Sequence, residues 1–151
     1  MTSPSRQPQV SAHALLIDQL GRFLFIQKPT GAWALPSVTL RFDVPPFHQV
    51  VDLARRQLGI EVRERDLLLA HVSAHGSLLD RGGIGLVVSV GFWAGDPVPE
   101  PALRALPTQR WGSPGHPPSP LAAWERMVLP ALMTISVYTE VGWASPAAQT
   151  S

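Results

Sequence analysis

The stretch Gly31–Ile60, GAWALPSVTLRFDVPPFHQVVDLARRQLGI, decides the fold. Its second half reads as a helix. The Pro45-Pro46 pair suits a first helical turn, and apolar residues recur at Phe47, Val50, Val51, Ala54 and Leu58 along one face. Gly59 follows as a stop, since glycine takes the left-handed conformation that ends a helix. Before it, Val38 to Phe42 alternates in character and reads as a strand. Working outward, Val10 to Ile17 and Arg22 to Lys28 read as two strands joined by the turn Asp18-Gln19-Leu20-Gly21. Downstream, Leu67 to Ala74 and Ile84 to Ala94 read as strands, Asp96 to Pro107 as a proline-rich loop, and Gln109 to Gly112 as a short strand. Pro120 to Thr134 reads as a second helix. Strands on both sides of an internal helix predict an α+β fold, a mixed sheet with flanking helices.

Composition narrows the function classes. The chain has 151 residues, 45% hydrophobic and 15% charged, which places it with single globular domains and not with disordered chains. The expected layout is a flexible tail at 1–9, one domain at 10–138 and a C-terminal tail at 139–151. A net charge of +1 gives no electrostatic case for nucleic acid or a membrane surface. The polar start lacks a secretory apolar stretch, and Ile84 to Ala94 is too short an apolar run to span a bilayer, so a cytoplasmic location is expected. With no cysteine, disulfides, thiol catalysis and cysteine-ligated metal are excluded. The glycine-rich Arg81-Gly82-Gly83-Ile84-Gly85 precedes no helix, so it reads as a turn and not a phosphate cradle.

Gly31, Trp33, Leu35 and Pro36 match the Gly-x-Trp-x-Leu-Pro lead-in of the Nudix (MutT-like) family, which this chain resembles. With that family's box, G-x5-E-x7-R-E-U-x-E-E-x-G-U, set to start at position 38, Gly59 and Ile60 fall on its closing Gly-U without a gap. Arg110-Trp111 followed by Ser113-Pro114 is similar to a late segment of the family. The resemblance spans Val10 to Leu132 and implies a Nudix-like α/β/α sandwich. The chemistry-bearing positions depart from the pattern. Val38 and Val44 replace the first Gly and Glu, Asp52 and Leu53 the Arg-Glu pair, and Arg56 and Gln57 the metal-holding Glu-Glu pair. Magnesium wants carboxylate oxygens, and a cation at position 56 repels it. The resemblance therefore implies the fold but not ordinary metal-dependent hydrolysis, unless acids such as Asp43 or Glu100 rebuild a metal site.

Several side chains stand as site candidates, each with a structural alternative. Arg56 reads either as an anion contact or as the i,i+4 partner of Asp52. His48 and Asp52 read either as an acid–base pair or as a solvated helix face. Leu53 reads as core, as the wall of an apolar pocket or as part of an interface. His71 and His75 point to one side of a strand. With His13 they give only weak metal-site evidence, and a structural or surface role is the main expectation. Lys28, the only lysine, follows the second strand, where the resemblance implies a basic residue near substrate phosphates and so a retained anion contact. Trp33, Trp93 and Trp111 read as core or pocket wall in preference to a stacking platform for bases. The expected set is therefore His48 and Asp52 as catalytic groups, and Lys28, Trp33, Leu53, Arg56, His71 and His75 as ligand contacts. No metal or cofactor is expected. The partner is a small molecule, anionic if Lys28 and Arg56 meet it, and homo-oligomerisation stays open. Three functions follow: a repurposed, metal-independent enzyme of acid–base, cyclisation or isomerisation type; a ligand- or partner-binding module; or a diphosphate hydrolase with displaced carboxylates.

Overall fold

The computed structural model describes residues 8–79, 82–97 and 108–144. Eight strands and two helices build it. The strands are β1 (Gln9–Leu15), β2 (Phe23–Gln27), β3 (Trp33–Ala34), β4 (Ser37–Thr39), β5 (Leu67–His75), β6 (Gly83–Val90), β7 (Gln109–Gly112) and β8 (Tyr138–Val141). The helices are α1 (Pro46–Leu53) and α2 (Ala123–Met133). Five strands form a mixed sheet in the order β4-β1-β6-β5-β8, and three form a second sheet, β3-β2-β7. β1 lies parallel to β6, and β5 parallel to β8. No described helix is long and apolar enough to cross a membrane.

Alternation along β1 sorts its side chains between two layers. Ala12, Ala14 and Leu16 join Val50, Leu53, Ala54 and Leu58 of the first helix in one buried cluster. Leu15 turns the other way, into a second cluster with Phe25, Leu35, Val87 and Leu129 of α2. A period of two in the strand thus puts a helix against each face. The expected α+β class and α/β/α layering are present.

Local chemistry fixes the ends of α1. Pro45 is extended (ψ 140°), as a residue before proline prefers, and Pro46 opens the helix where no N–H partner is needed. The last turn, Ala54–Leu58, widens until Gly59 N–H reaches the carbonyls of both Ala54 and Arg55. Gly59 then takes φ 67°, and Ile60 N–H bonds back to Ala54 O at 3.3 Å.

Three expectations need correction. The strand read from Val38 to Phe42 stops at Thr39, and Phe42 is exposed. The buried Gln49 amide takes over from a strand partner: it accepts from Arg41 N–H at 3.0 Å and donates to the carbonyls of Arg41 and Val44 at 2.7 Å each. The glycine run is not all turn, because Gly83 and Gly85 lie inside β6. A Cβ on Gly83 would sit 2.0 Å from Gln9 O, so only glycine lets β1 approach there. Arg81 lies outside the described residues. The expected C-terminal tail begins as structure: β8 pairs with β5 from Val72 opposite Tyr138 to His75 opposite Val141. Trp143 Nε1 donates to Ala74 O at 2.9 Å, which holds the following residues to the same strand.

Candidate functional site

Two concave regions compete for a functional reading. The first is the depression of about 210 Å³ on the outer face of α1, lined by Thr39, Arg41, His48, Asp52 and Arg56 among others. Its charges are neutralised locally. Arg56 Nη2 lies 2.7 Å from Asp52 Oδ2, one helical turn away. His48 Nδ1 lies 3.3 Å from Glu64 Oε1. The expected His48–Asp52 pair is therefore not formed: both line the depression, but each has another partner. The long Arg56 side chain reaches back along the helix to Asp52, and the short imidazole faces the turn at Glu64.

The described acids of this region are engaged by neighbouring side chains. Asp43 is bonded by Arg41 Nε at 3.1 Å and Nη2 at 2.5 Å, and those hydrogen bonds hold its carboxyl below the usual range. Gln57 donates to Ser37 O at 3.2 Å, while its own Oε1 is buried without a partner among the described residues. Glu100 lies outside the described residues. Among those described, no three His, Asp or Glu side chains are grouped to hold a metal ion.

Three expected ligand contacts belong to the framework. Leu53 is 1% exposed and sits in the core under α1, because its helical phase matches Val50 and Ala54. Trp33 is packed with Phe23, Phe25 and Leu35, and its backbone ties the entry of α2 through Pro120 O and Ala122 N–H at 2.8 Å each. His71 is buried with both ring nitrogens satisfied: Nδ1–H donates to Ser136 O at 2.5 Å, and Nε2 lies 2.9 Å from Thr139 Oγ1. It anchors β8 and lines neither of the two concave regions. Trp93 and Trp111 stack with centroids 6.2 Å apart beside the α1 cluster.

The second region is a cavity of about 330 Å³ where β1, the end of β5 and the start of α2 meet. Ser11 and His13 reach it from the same face of β1, Lys28 from the exit of β2, His75 from the end of β5, and Glu125 from the first turn of α2. The structure thus unites Lys28 and His75 with His13, and adds Ser11, Trp124 and Glu125, which sequence reasoning missed.

Its geometry is strongly preorganised. The His13 ring stacks on Trp124 at 3.8 Å with an interplanar angle of 8°. Trp124 Nε1 is fixed in turn by donating to Ser73 Oγ at 3.0 Å. This stack needs Gly85: a Cβ there would fall 2.7 Å from Ser73 Oγ and 3.2 Å from the indole. His13 Nε2 lies 2.9 Å from Ser11 Oγ, which leaves Nδ1 free. Burial, then the neighbouring His75 and Lys28, push the His13 imidazole down to about 3, so it is neutral at physiological pH. His75 is also lowered, by burial.

Glu125 is the counterpart. It is 2% exposed, and burial pushes its carboxyl up to about 7 despite Lys28 and the N–H groups of Glu125 and Leu35 that favour the anion. His13 Nδ1, His75 Nδ1 and Glu125 Oε2 are all buried with no hydrogen-bond partner among the described residues. Buried polar atoms are normally paired, so three orphans on residues that line one cavity need an explanation. A carboxyl that titrates near neutrality beside a neutral imidazole can give and take protons, as general acid–base chemistry requires.

No family profile matches the sequence, and no curated protein is similar to it in sequence. Solved structures do resemble it. A MutT Nudix hydrolase from Burkholderia pseudomallei superimposes with a TM-score of 0.65 at 22% identity, over 83% of this chain and 98% of that one. The E. coli ORF135 protein gives 0.67 at 18% identity, over 87% and 92%. A MutT protein from Methanosarcina mazei gives 0.68 at 19% identity, over 87% and 97%. The fold is that of the Nudix proteins.

Proposed function

We propose that this Nudix-fold chain is a metal-independent enzyme that performs acid–base chemistry on a small molecule held in the cavity under α2. One observation carries the reading: the carboxyl of Glu125, raised to about 7 and with Oε2 unpaired, shares that cavity with the unpaired Nδ1 of a neutral, clamped His13. In this reading Glu125 donates or accepts the proton and His13 is its partner. Lys28 and His75 orient the ligand, and Trp124, Ser73 and Ser11 hold the imidazole in place. The Asp52–Arg56 pair on α1 supports the same conclusion from the other side, because it sets a cation where the family pattern puts a metal ligand.

The test is a panel of nucleoside and isoprenoid diphosphates incubated with the purified protein, with and without Mg²⁺, and followed by mass spectrometry. The panel should give no Mg²⁺-dependent cleavage. Mg²⁺-dependent cleavage would overturn the reading in favour of a hydrolase with displaced carboxylates. Turnover of any cavity ligand should be lost in Glu125→Gln with binding retained. A ligand that binds the cavity but is recovered unchanged would make the chain a binding module.

A further inference from the structure

The cavity also has a selectivity, which rests on the reading just given. Lys28 stands at its mouth as the only lysine of the chain, and no described carboxylate lies within ion-pairing distance of it. Behind it lie the buried, unpartnered Oε2 of Glu125 and Nδ1 of His13. The rest of the wall is mixed: Leu78, Leu79, Ala122, Ala123 and the Trp124 indole supply hydrocarbon, and Gln9, Ser11 and His75 supply polar groups. The cavity therefore offers one lysine cation and a carboxyl able to donate an O–H, together with leucine, alanine and tryptophan surface for an apolar body. We propose that the cavity selects a small monocarboxylic acid with an apolar body, its carboxylate held between Lys28 Nζ and the carboxyl of Glu125.

Charge counting excludes the alternatives. A diphosphate brings several negative charges, and this cavity has one cation and no metal-holding group among the described residues. An ammonium ligand would face Lys28 at like charge. A carboxylate bound to a carboxylic acid makes an O–H···O⁻ bond, the charge-assisted kind that is roughly twice as strong as a neutral one. The apolar body replaces water along the leucine and alanine wall.

The same geometry makes binding depend on pH. The groups facing Glu125 are His13 from β1, His75 from the end of β5 and Lys28 after β2. Burial lowers both imidazoles and raises Glu125 to about 7, so the charge change is assigned to Glu125 and the Glu125→Gln variant tests that assignment. Once ionised, it repels the ligand and turns to Lys28 itself. Ligand uptake is therefore linked to one proton, and affinity falls by up to about tenfold per pH unit above the Glu125 midpoint.

The experiment is calorimetric titration of the full chain with hexanoate, benzoate, inorganic phosphate, pyrophosphate and hexylamine, at about pH 6 and about pH 8.5. At least one carboxylate should saturate the protein at the lower pH and bind about tenfold or more weakly at the higher one. Lys28→Met should weaken that binding about tenfold at the lower pH. Glu125→Gln keeps a neutral donor, so it should still bind the carboxylate but lose the pH dependence. The assignment is overturned if neither carboxylate binds, if phosphate or pyrophosphate binds as tightly, or if the pH dependence survives in Glu125→Gln. Tighter binding of hexylamine would also overturn it, yet would leave the cavity as the site. Metal-dependent cleavage of diphosphates, which would end the acid–base reading, is scored in a separate assay.

Discussion

The outer face of α1 and the cavity under α2 treat their polar groups in opposite ways. On the outer face of the first helix, Asp52 pairs with Arg56 and His48 with Glu64 of the turn beyond it, all of them largely exposed. Such pairs contribute little to stability, since water screens them and long side chains lose entropy to make them. Under α2, His13 and Glu125 are nearly inaccessible and each keeps an atom unpaired. A group left that way costs roughly 1 to 3 kcal/mol. The difference teaches where to look for chemistry in this molecule. The polar residues of the outer α1 face are spent on surface pairs, while the destabilising arrangement lies under α2.

Substitutions can break or sharpen this contrast. The largest effect is expected from Leu53→Ala, which should lower unfolding free energy by about 3.5 kcal/mol in urea titration. A pocket-wall leucine would lose far less, so a small change would return Leu53 to the depression. Next is the pH profile of Glu125→Gln. The folded protein keeps a proton on Glu125 between pH 4.5 and about 7 that the unfolded chain has released, so wild-type stability falls as pH rises through that window. Glutamine does not titrate. The variant should gain on the wild type by about 3 kcal/mol across the window and hold that gain above it. Parallel profiles would mean that the carboxyl is not buried. His13 has the opposite sign: lowered from 6.5 to about 3, its contribution is complete above 6.5 and lost as pH falls towards 3. Glu125→Gln leaves that acid limb unchanged.

Gly85→Ala comes third. Its new methyl should push the Trp124 indole off His13, costing about 2 kcal/mol and altering the His13 ring shifts by NMR. An unshifted ring would show that the stack does not depend on the glycine. The smallest effect belongs to Arg56→Ala, about 0.3 kcal/mol by thermal unfolding, with carboxylate binding unchanged. Loss of ligand binding in that variant would move the site back to α1.

The helix at Pro46–Leu53 and its Gly59 stop were legible because they depend on near neighbours: a proline pair, an apolar period and a glycine. The Asp52–Arg56 pair was legible for the same reason. The cavity was not. Glu125 follows Trp124 in the first turn of a helix, where an acid ordinarily faces water and favours the helix dipole. Its burial comes from the docking of α2 against β1 and Leu35, which no local pattern announces. His13, read with His71 and His75 as a set, separates from His71 because that ring is taken up by Ser136 and Thr139 of the β8 region. β8 itself escaped notice because its four residues pair only with a strand more than sixty positions earlier.

The parallel register of β1 against β6 has a consequence for how the molecule assembles. Gln9 must find Gly83, and His13 must then meet Trp124, so the cavity is closed by contacts spanning most of the chain. Long loops must be ordered before such contacts give any return, which makes them late events in folding. During synthesis the first strand leaves the ribosome long before its partners exist. Its alternating apolar face, Ala12, Ala14 and Leu16, is then exposed to whatever else is nearby. The cavity is a report that the chain has finished folding: a ligand that fitted it would bind only the completed molecule and would raise the native population by mass action.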